Sequence, residues 1–169
     1  SAASDVYKRQ GVGSGTTIHH IEVIANADDG VEYFGGTVST KHMITAFCGD
    51  DSYDYDMGWR GKGQFWWSIS ESSDGDRGGE HDGGTSPEDG TPYATPVIYN
   101  ATYMGRGAAA GKRTITFRDN AGGEYHNSVF YDYAKGIDIE MLSSGQHSWE
   151  RYKGGDLAIE DNVFFNVAN

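Results

Sequence analysis

Short runs of alternating apolar and polar residues dominate this chain. In Ser52-Tyr-Asp-Tyr-Asp56 an extended backbone points the tyrosines to one side and the aspartates to the other. Val31-Glu-Tyr-Phe34 repeats the pattern, so Val31, Tyr33, Tyr53 and Tyr55 are assigned to the inside. No segment carries a long apolar face at helical spacing, so helices are expected to be minor. Bends rich in Gly and Asp separate the runs, which predicts many short strands joined by turns.

The runs recur. His20-Ile-Glu-Val matches His42-Met-Ile-Thr 22 residues later, and the same step carries Asp28-Asp29 onto Asp50-Asp51, Glu32 onto Asp54 and Gly36 onto Gly58. A further 22 residues lead to Gln64, ahead of Phe65-Trp-Trp-Ser-Ile69. Looser copies follow at Asn100, Asn127 and Asn162. The wider gaps leave room for loops at about 70–96 and at Leu142–Gly155. Equivalent residues recur in one chain direction. This favours parallel stacking in a solenoid over the antiparallel hairpins of a β-sandwich. The expected fold is all-β, a right-handed parallel β-helix, and a fragment of a longer stack.

Composition narrows the partners. The chain has 169 residues and a net charge of −12, which repels phosphate backbones and argues against nucleic acid. The 11 Tyr, 7 Phe and 4 Trp argue against disorder. Cys48 is alone, so no internal disulfide can form, and a small buried residue is expected there. No apolar run is long enough to span a bilayer as a helix. The leader Asp5-Val-Tyr-Lys-Arg-Gln10 looks like a translated sequencing adapter. Residues 1–10 are therefore set aside as non-native, with 11–169 as the domain, and the lack of a signal peptide carries no information about location.

Stacked copies place equivalent side chains about 4.8 Å apart. Asn100, Asn127 and Asn162 are expected to form an amide ladder, extended by His20 and His42, with no third ligand spaced to make those histidines a metal site. Stacked carboxylates repel, so Asp28, Asp29, Asp50 and Asp51 need a cation, a raised pKa or free exposure, and they are the candidate ligands for calcium. Glu32, Asp54, Glu80 and Asp138 fall at similar points of their turns and are the candidate catalytic acids, with Arg118 as a partner for a uronate. Tyr33, Trp59, Trp66 and Trp67 are candidate platforms for sugar rings, weighed against the core positions that aromatics usually take in a solenoid.

The segments Gly11-Val-Gly-Ser-Gly-Thr-Thr-Ile-His-His-Ile-Glu-Val, Asp28-Asp-Gly-Val-Glu-Tyr-Phe-Gly-Gly-Thr, Asp50-Asp-Ser-Tyr-Asp-Tyr-Asp-Met-Gly-Trp59, Thr95-Pro-Val-Ile-Tyr-Asn100 and Asp161-Asn-Val-Phe-Phe165 resemble secreted or surface-lipoprotein β-helix proteins of marine bacteria. The resemblance runs through nearly everything after residue 10. It implies a right-handed parallel β-helix of the pectate-lyase-like superfamily and an exported, extracellular or surface-bound protein. It carries over no catalytic residue. Of the motifs of polygalacturonase-like enzymes only Asp-Asp occurs, and nothing places Arg60, Lys62 or Arg118 as the base of a lyase.

The leading expectation is a non-catalytic extracellular module that binds carbohydrate or serves adhesion, with calcium stiffening its acidic turns. The alternative is a polysaccharide lyase or glycoside hydrolase acting on an acidic polysaccharide. Open sheet edges at the two ends are expected to support end-to-end self-association. Thr16, Thr17, Thr37, Thr40 and Thr45 do not form the regular rows of an ice-binding face.

Overall fold

A computed structural model describes residues 7–71, 73–84 and 86–168. Fifteen strands alternate between two parallel sheets, so that each circuit of the chain lays one rung on the last. The rungs are β1 (Tyr7–Gln10) with β2 (Thr17–Ile24), β3 (Val31–Phe34) with β4 (Ser39–Ala46), and β5 (Tyr53–Asp56) with β6 (Lys62–Ile69). Then come β7 (Gly79–Asp82) with β8 (Val97–Tyr99) and β9 (Thr102–Met104), and β10 (Arg113–Arg118) with β11 (Gly123–His126) and β12 (Val129–Tyr131). The last is β13 (Lys135–Ile139) with β14 (Leu157–Glu160) and β15 (Val163–Phe165). We call the sheet of β1, β3, β5, β7, β10 and β13 sheet A, and the other sheet B. The chain is a parallel β-helix, nearly all β.

Alternation decides what lies inside. Val31, Tyr33, Tyr53, Tyr55, Ile115 and Phe117 of sheet A meet Met43, Trp66, Ile98, Tyr103, Tyr125 and Phe130 of sheet B, all fully buried. Rings of one rung and of neighbouring rungs meet face to face across the interior. The ring centres of Tyr33 and Trp59 lie 4.1 Å apart, those of Tyr53 and Trp66 4.6 Å, and those of Tyr55 and His81 3.9 Å, each pair stacked with nearly parallel planes. Such pairs add about 0.5–1.5 kcal/mol each to the burial of their area. Buried polar tips find partners: Trp59 Nε1 donates to Val38 O at 3.1 Å, Trp66 Nε1 to Thr40 Oγ1 at 3.1 Å, and the Tyr53 hydroxyl to Met43 O at 3.0 Å. Gly61 lets the chain pass here, because a Cβ would sit 1.8 Å from Val38 O.

Three boundaries differ from the sequence reading. Tyr7–Gln10, set aside with the leader, forms β1 and pairs with Val31–Phe34. The segment 70–96 is not one loop, because Gly79–Asp82 enters it to pair with Tyr53–Tyr55 and with Ile115–Arg118. Leu142–Gly155 contains a two-turn helix, α1 (Ser148–Gly154), which Gly155 ends in the left-handed conformation at φ 86°. Cys48 is buried, and Gly36 and Gly58 both take positive φ, at 83° and 74°, as equivalent turn positions.

Candidate functional site

Each long run of sheet B is interrupted by one residue in the left-handed conformation. These are His20, His42, Phe65, Asn100, Asn127 and Asp161, with φ between 50° and 59°. They are equivalent through the pairings Ile21↔Met43↔Trp66, Gln64↔Tyr99↔His126 and His126↔Glu160. The column therefore contains Phe65 and Asp161 where the sequence reading placed Gln64 and Asn162. The turn before β6 is one residue longer than the turn before β4: Lys62 follows Tyr53 by nine residues, Ser39 follows Val31 by eight. A fixed step of 22 thus lands one residue short. Asn162 instead grips the rung below, accepting from Ser128 N and donating to Tyr125 O, each at 2.8 Å.

The column has a steric consequence. A left-handed residue lets two consecutive side chains face outward and bends the strand there. His19 with His20, Lys41 with His42, and Gln64 with Phe65 all turn out this way, while Ile18, Thr40, Gly63 and Ile21, Met43, Trp66 on either side turn in. The result is an open groove of about 500 Å³ across β2, β4 and β6, lined by His19, His20, Lys41, His42, Lys62 and Gln64 among others. A second hollow of about 250 Å³ adjoins it, where Glu22, Ile44, Phe65 and Trp67 join His20 and His42.

The groove is cationic and aromatic on an acidic protein. His20 and His42 lie 4.5 Å apart, His42 stacks on Phe65 at 5.1 Å, and Lys41 Nζ stands 5.2 Å from the Phe65 ring centre. His19 Nδ1 and His20 Nδ1 are 2.9 Å apart, so one donates and the other accepts. Desolvation, followed by the positive neighbours His20, Lys41 and His19, lowers the pKa of His42. The row continues to Tyr99, stacked on His126 at 4.7 Å, and there Glu124 approaches His126 Nε2 at 2.7 Å. One end of the row can thus attract an anion and cover an apolar ring face, while the other is acidic.

Sheet A gathers the acids. Glu32, Asp54, Glu80, Thr116 and Asp138 stand in one row, as the sequence spacing suggests. Arginines occupy the later part. Arg77 contacts Glu80 at 2.7 Å, Asp76 at 2.9 Å and Asp51 at 3.4 Å. Arg118 contacts Asp82 at 2.7 Å and Glu80 at 2.8 Å, and Arg113 lies 3.8 Å from Asp138. Burial raises the Glu80 and Asp82 carboxyls against the pull of these cations. The four calcium candidates meet in overlapping groups. Asp28, Asp29 and Asp50 bring ligand oxygens within 4.8 Å of one another, as do Asp50, Asp51 and Asp76, and also Asp29, Glu32 and Asp54. Burial drives Asp29 up to about 7 and Asp51 up to about 8.

Three of the four proposed sugar platforms are corrected. Tyr33, Trp59 and Trp66 are fully buried between the sheets, where no ligand ring can reach them. Trp67 alone faces out, in the smaller hollow. Glu32 and Asp54 are also nearly covered, at 8% and 7% exposure, and neither lines the groove. The sequence reading missed His19, Lys41 and Phe65 as site residues. Their signal was available in the inward run Ile21, Met43, Trp66, which sets the pairing more securely than the polar anchors do.

Comparison with curated proteins and with solved structures gives no match. The family model described as a pectate-lyase like beta helix domain matches residues 7–169, from the first strand of the stack onward. A stack of parallel rungs with a stacked aromatic core agrees with that match, and the chain belongs to the pectate-lyase-like β-helix domain family.

Proposed function

We propose that the protein is an extracellular β-helix module that binds an acidic polysaccharide along the groove of sheet B. The observation that carries this reading is the concentration of Lys41, Lys62, His19, His20 and His42 along one groove, adjoining the hollow that holds the exposed Phe65 and half-buried Trp67, in a chain of net charge −12. Lysines and histidines supply hydrogen-bond donors and charge for carboxylates or sulfates. Phe65 and Trp67 supply faces for pyranose rings. Successive rungs repeat these contacts about every 4.8 Å, which suits a repeating polymer better than a single small molecule. The right-handed winding is part of the proposal and follows the strong general preference of parallel crossovers.

Support for catalysis by the acid row of sheet A is weaker. Glycoside hydrolysis requires two carboxyls flanking an open sugar site. Glu32 and Asp54 are covered, and Glu80 is held between Arg77 and Arg118.

The test is titration of the protein with acidic and neutral polysaccharides at several salt concentrations, followed by calorimetry. An acidic polymer is expected to bind, to weaken as salt rises, and to lose about tenfold or more in affinity in Lys41→Ala/Lys62→Ala. Binding that ignores both salt and the lysine variants would overturn the groove assignment.

A further inference from the structure

Asp54 is 7% exposed, and its Oδ1 is buried with no hydrogen-bond partner. A lone carboxylate oxygen without donors is costly to bury. Asp54 belongs to a group with Asp29 and Glu32 in which one carboxylate oxygen of each residue lies within 4.8 Å of the others. The three residues come from the bend before β3, from β3 itself and from β5, so the group spans two successive rungs.

The neighbouring acids have counter-ions of their own. Arg77 serves Asp51, Asp76 and Glu80, and Arg118 serves Glu80 and Asp82. Among the described residues neither Asp29 nor Asp54 enters a salt bridge. Asp29 keeps one oxygen on the backbone N–H of Asp51 at 3.0 Å, which fixes its carboxylate across the rung boundary.

We infer that Asp29, Glu32 and Asp54 form a calcium site that ties the second rung to the third. Oxygens sharing one calcium at 2.3–2.6 Å can lie up to about 5 Å apart, and calcium takes carboxylate and water ligands in irregular geometry. The ion supplies the partner that the buried Asp54 oxygen lacks and cancels the repulsion among the three acids. Its role is structural. It lies on sheet A, and the polysaccharide groove lies on sheet B, so the two readings stand or fall separately.

The test uses the full chain at pH 8, stripped with chelator and titrated with calcium chloride, by calorimetry and thermal melting. Calcium at a hundredfold excess over its Kd is expected to raise the Tm by about 5 °C or more. Asp54→Asn is expected to lose most of that rise and, in chelator, to melt no lower than the parent. Should Asp54→Asn fail to fold, Glu32→Gln reports the same loss. Asp76→Asn, which alters only the neighbouring group, is expected to keep the rise. A parent chain that takes up no calcium and melts identically with and without it would overturn the site and leave Asp54 as a neutral acid. Loss of the calcium response in Asp76→Asn but not in Asp54→Asn would move the ion to Asp50, Asp51 and Asp76, and would equally overturn it.

Discussion

The Tyr125 hydroxyl donates a hydrogen bond to His81 Nε2 at 2.8 Å, at the centre of the core. The direction follows from the other nitrogen. His81 Nδ1 lies 2.6 Å from Glu80 O, which can only accept, so Nδ1 carries the proton and Nε2 offers its lone pair. The Tyr103 hydroxyl, 3.2 Å from that of Tyr125, then completes a chain running Tyr103, Tyr125, His81, Glu80 O. A neutral imidazole satisfied at both nitrogens has no use for a second proton. Burial lowers its pKa from 6.5 to about 3, against a small opposing pull from the Glu80 carbonyl.

This makes a pH dependence measurable. Between pH 6.5 and about 3 the unfolded chain protonates His81 and the folded chain does not. The stability it contributes is therefore complete above 6.5 and is lost as pH falls toward 3. Buried acids such as Asp82, whose pKa is raised, act in the opposite sense, so the comparison must be with His81→Gln. The variant is expected to be less stable at pH 7, through loss of the 3.9 Å stack on Tyr55, but its urea midpoint should fall less between pH 7 and 4. Parallel pH profiles for the two proteins would contradict the account.

Trp66 and Trp67 are adjacent in sequence and opposite in role. Trp66 is 1% exposed and stacks on Tyr53, whereas Trp67 is half-buried on the groove side. Trp66→Leu is expected to cost about 2–4 kcal/mol in urea unfolding. Trp67→Leu is expected to cost under about 1 kcal/mol and to weaken polysaccharide binding several-fold. Equal losses of stability would place both rings in the core.

The left-handed column trades backbone comfort for groove shape. Asn and Asp tolerate that conformation, and Phe65 does so at a cost of about 1 kcal/mol. Phe65→Asn is expected to leave the fold as stable or slightly more so, while lowering affinity for the polymer. Asn127→Val is expected to lose about 1–2 kcal/mol, since a β-branched residue is poorly suited to φ near 50°. Thermal melting of the two variants side by side checks both signs.

Arg118 holds two acids at once. Its own charge is 41% exposed, so solvent weakens the pair, yet Asp82 beneath it is nearly covered. Arg118→Ala is expected to destabilise by about 1–2 kcal/mol at pH 8 and by less at pH 4, where Asp82 can take up a proton instead. A loss that does not change with pH would assign the effect to packing of the arginine stem.

Much of this protein follows from its alternation and its repeat. A buried interior admits only one side of each strand, so Val31, Tyr33, Tyr53 and Tyr55 were assigned inward from pattern alone, and all four lie at 0–1% exposure. Recurrence of Asp28, Asp29 and Glu32 at Asp50, Asp51 and Asp54 likewise placed acids on acids, because parallel stacking preserves chain order. The groove did not follow. It depends on a backbone sign, positive φ at His20, His42 and Phe65, which leaves no mark in the identity of histidine or phenylalanine. It depends also on one extra residue in the turn before β6, which shifts every outward side chain after it by one place. Sequence alone thus determined the stack and its interior, through burial. Only the tertiary structure decided which rings face water, because a single-residue shift in pairing exchanges the two faces of a strand.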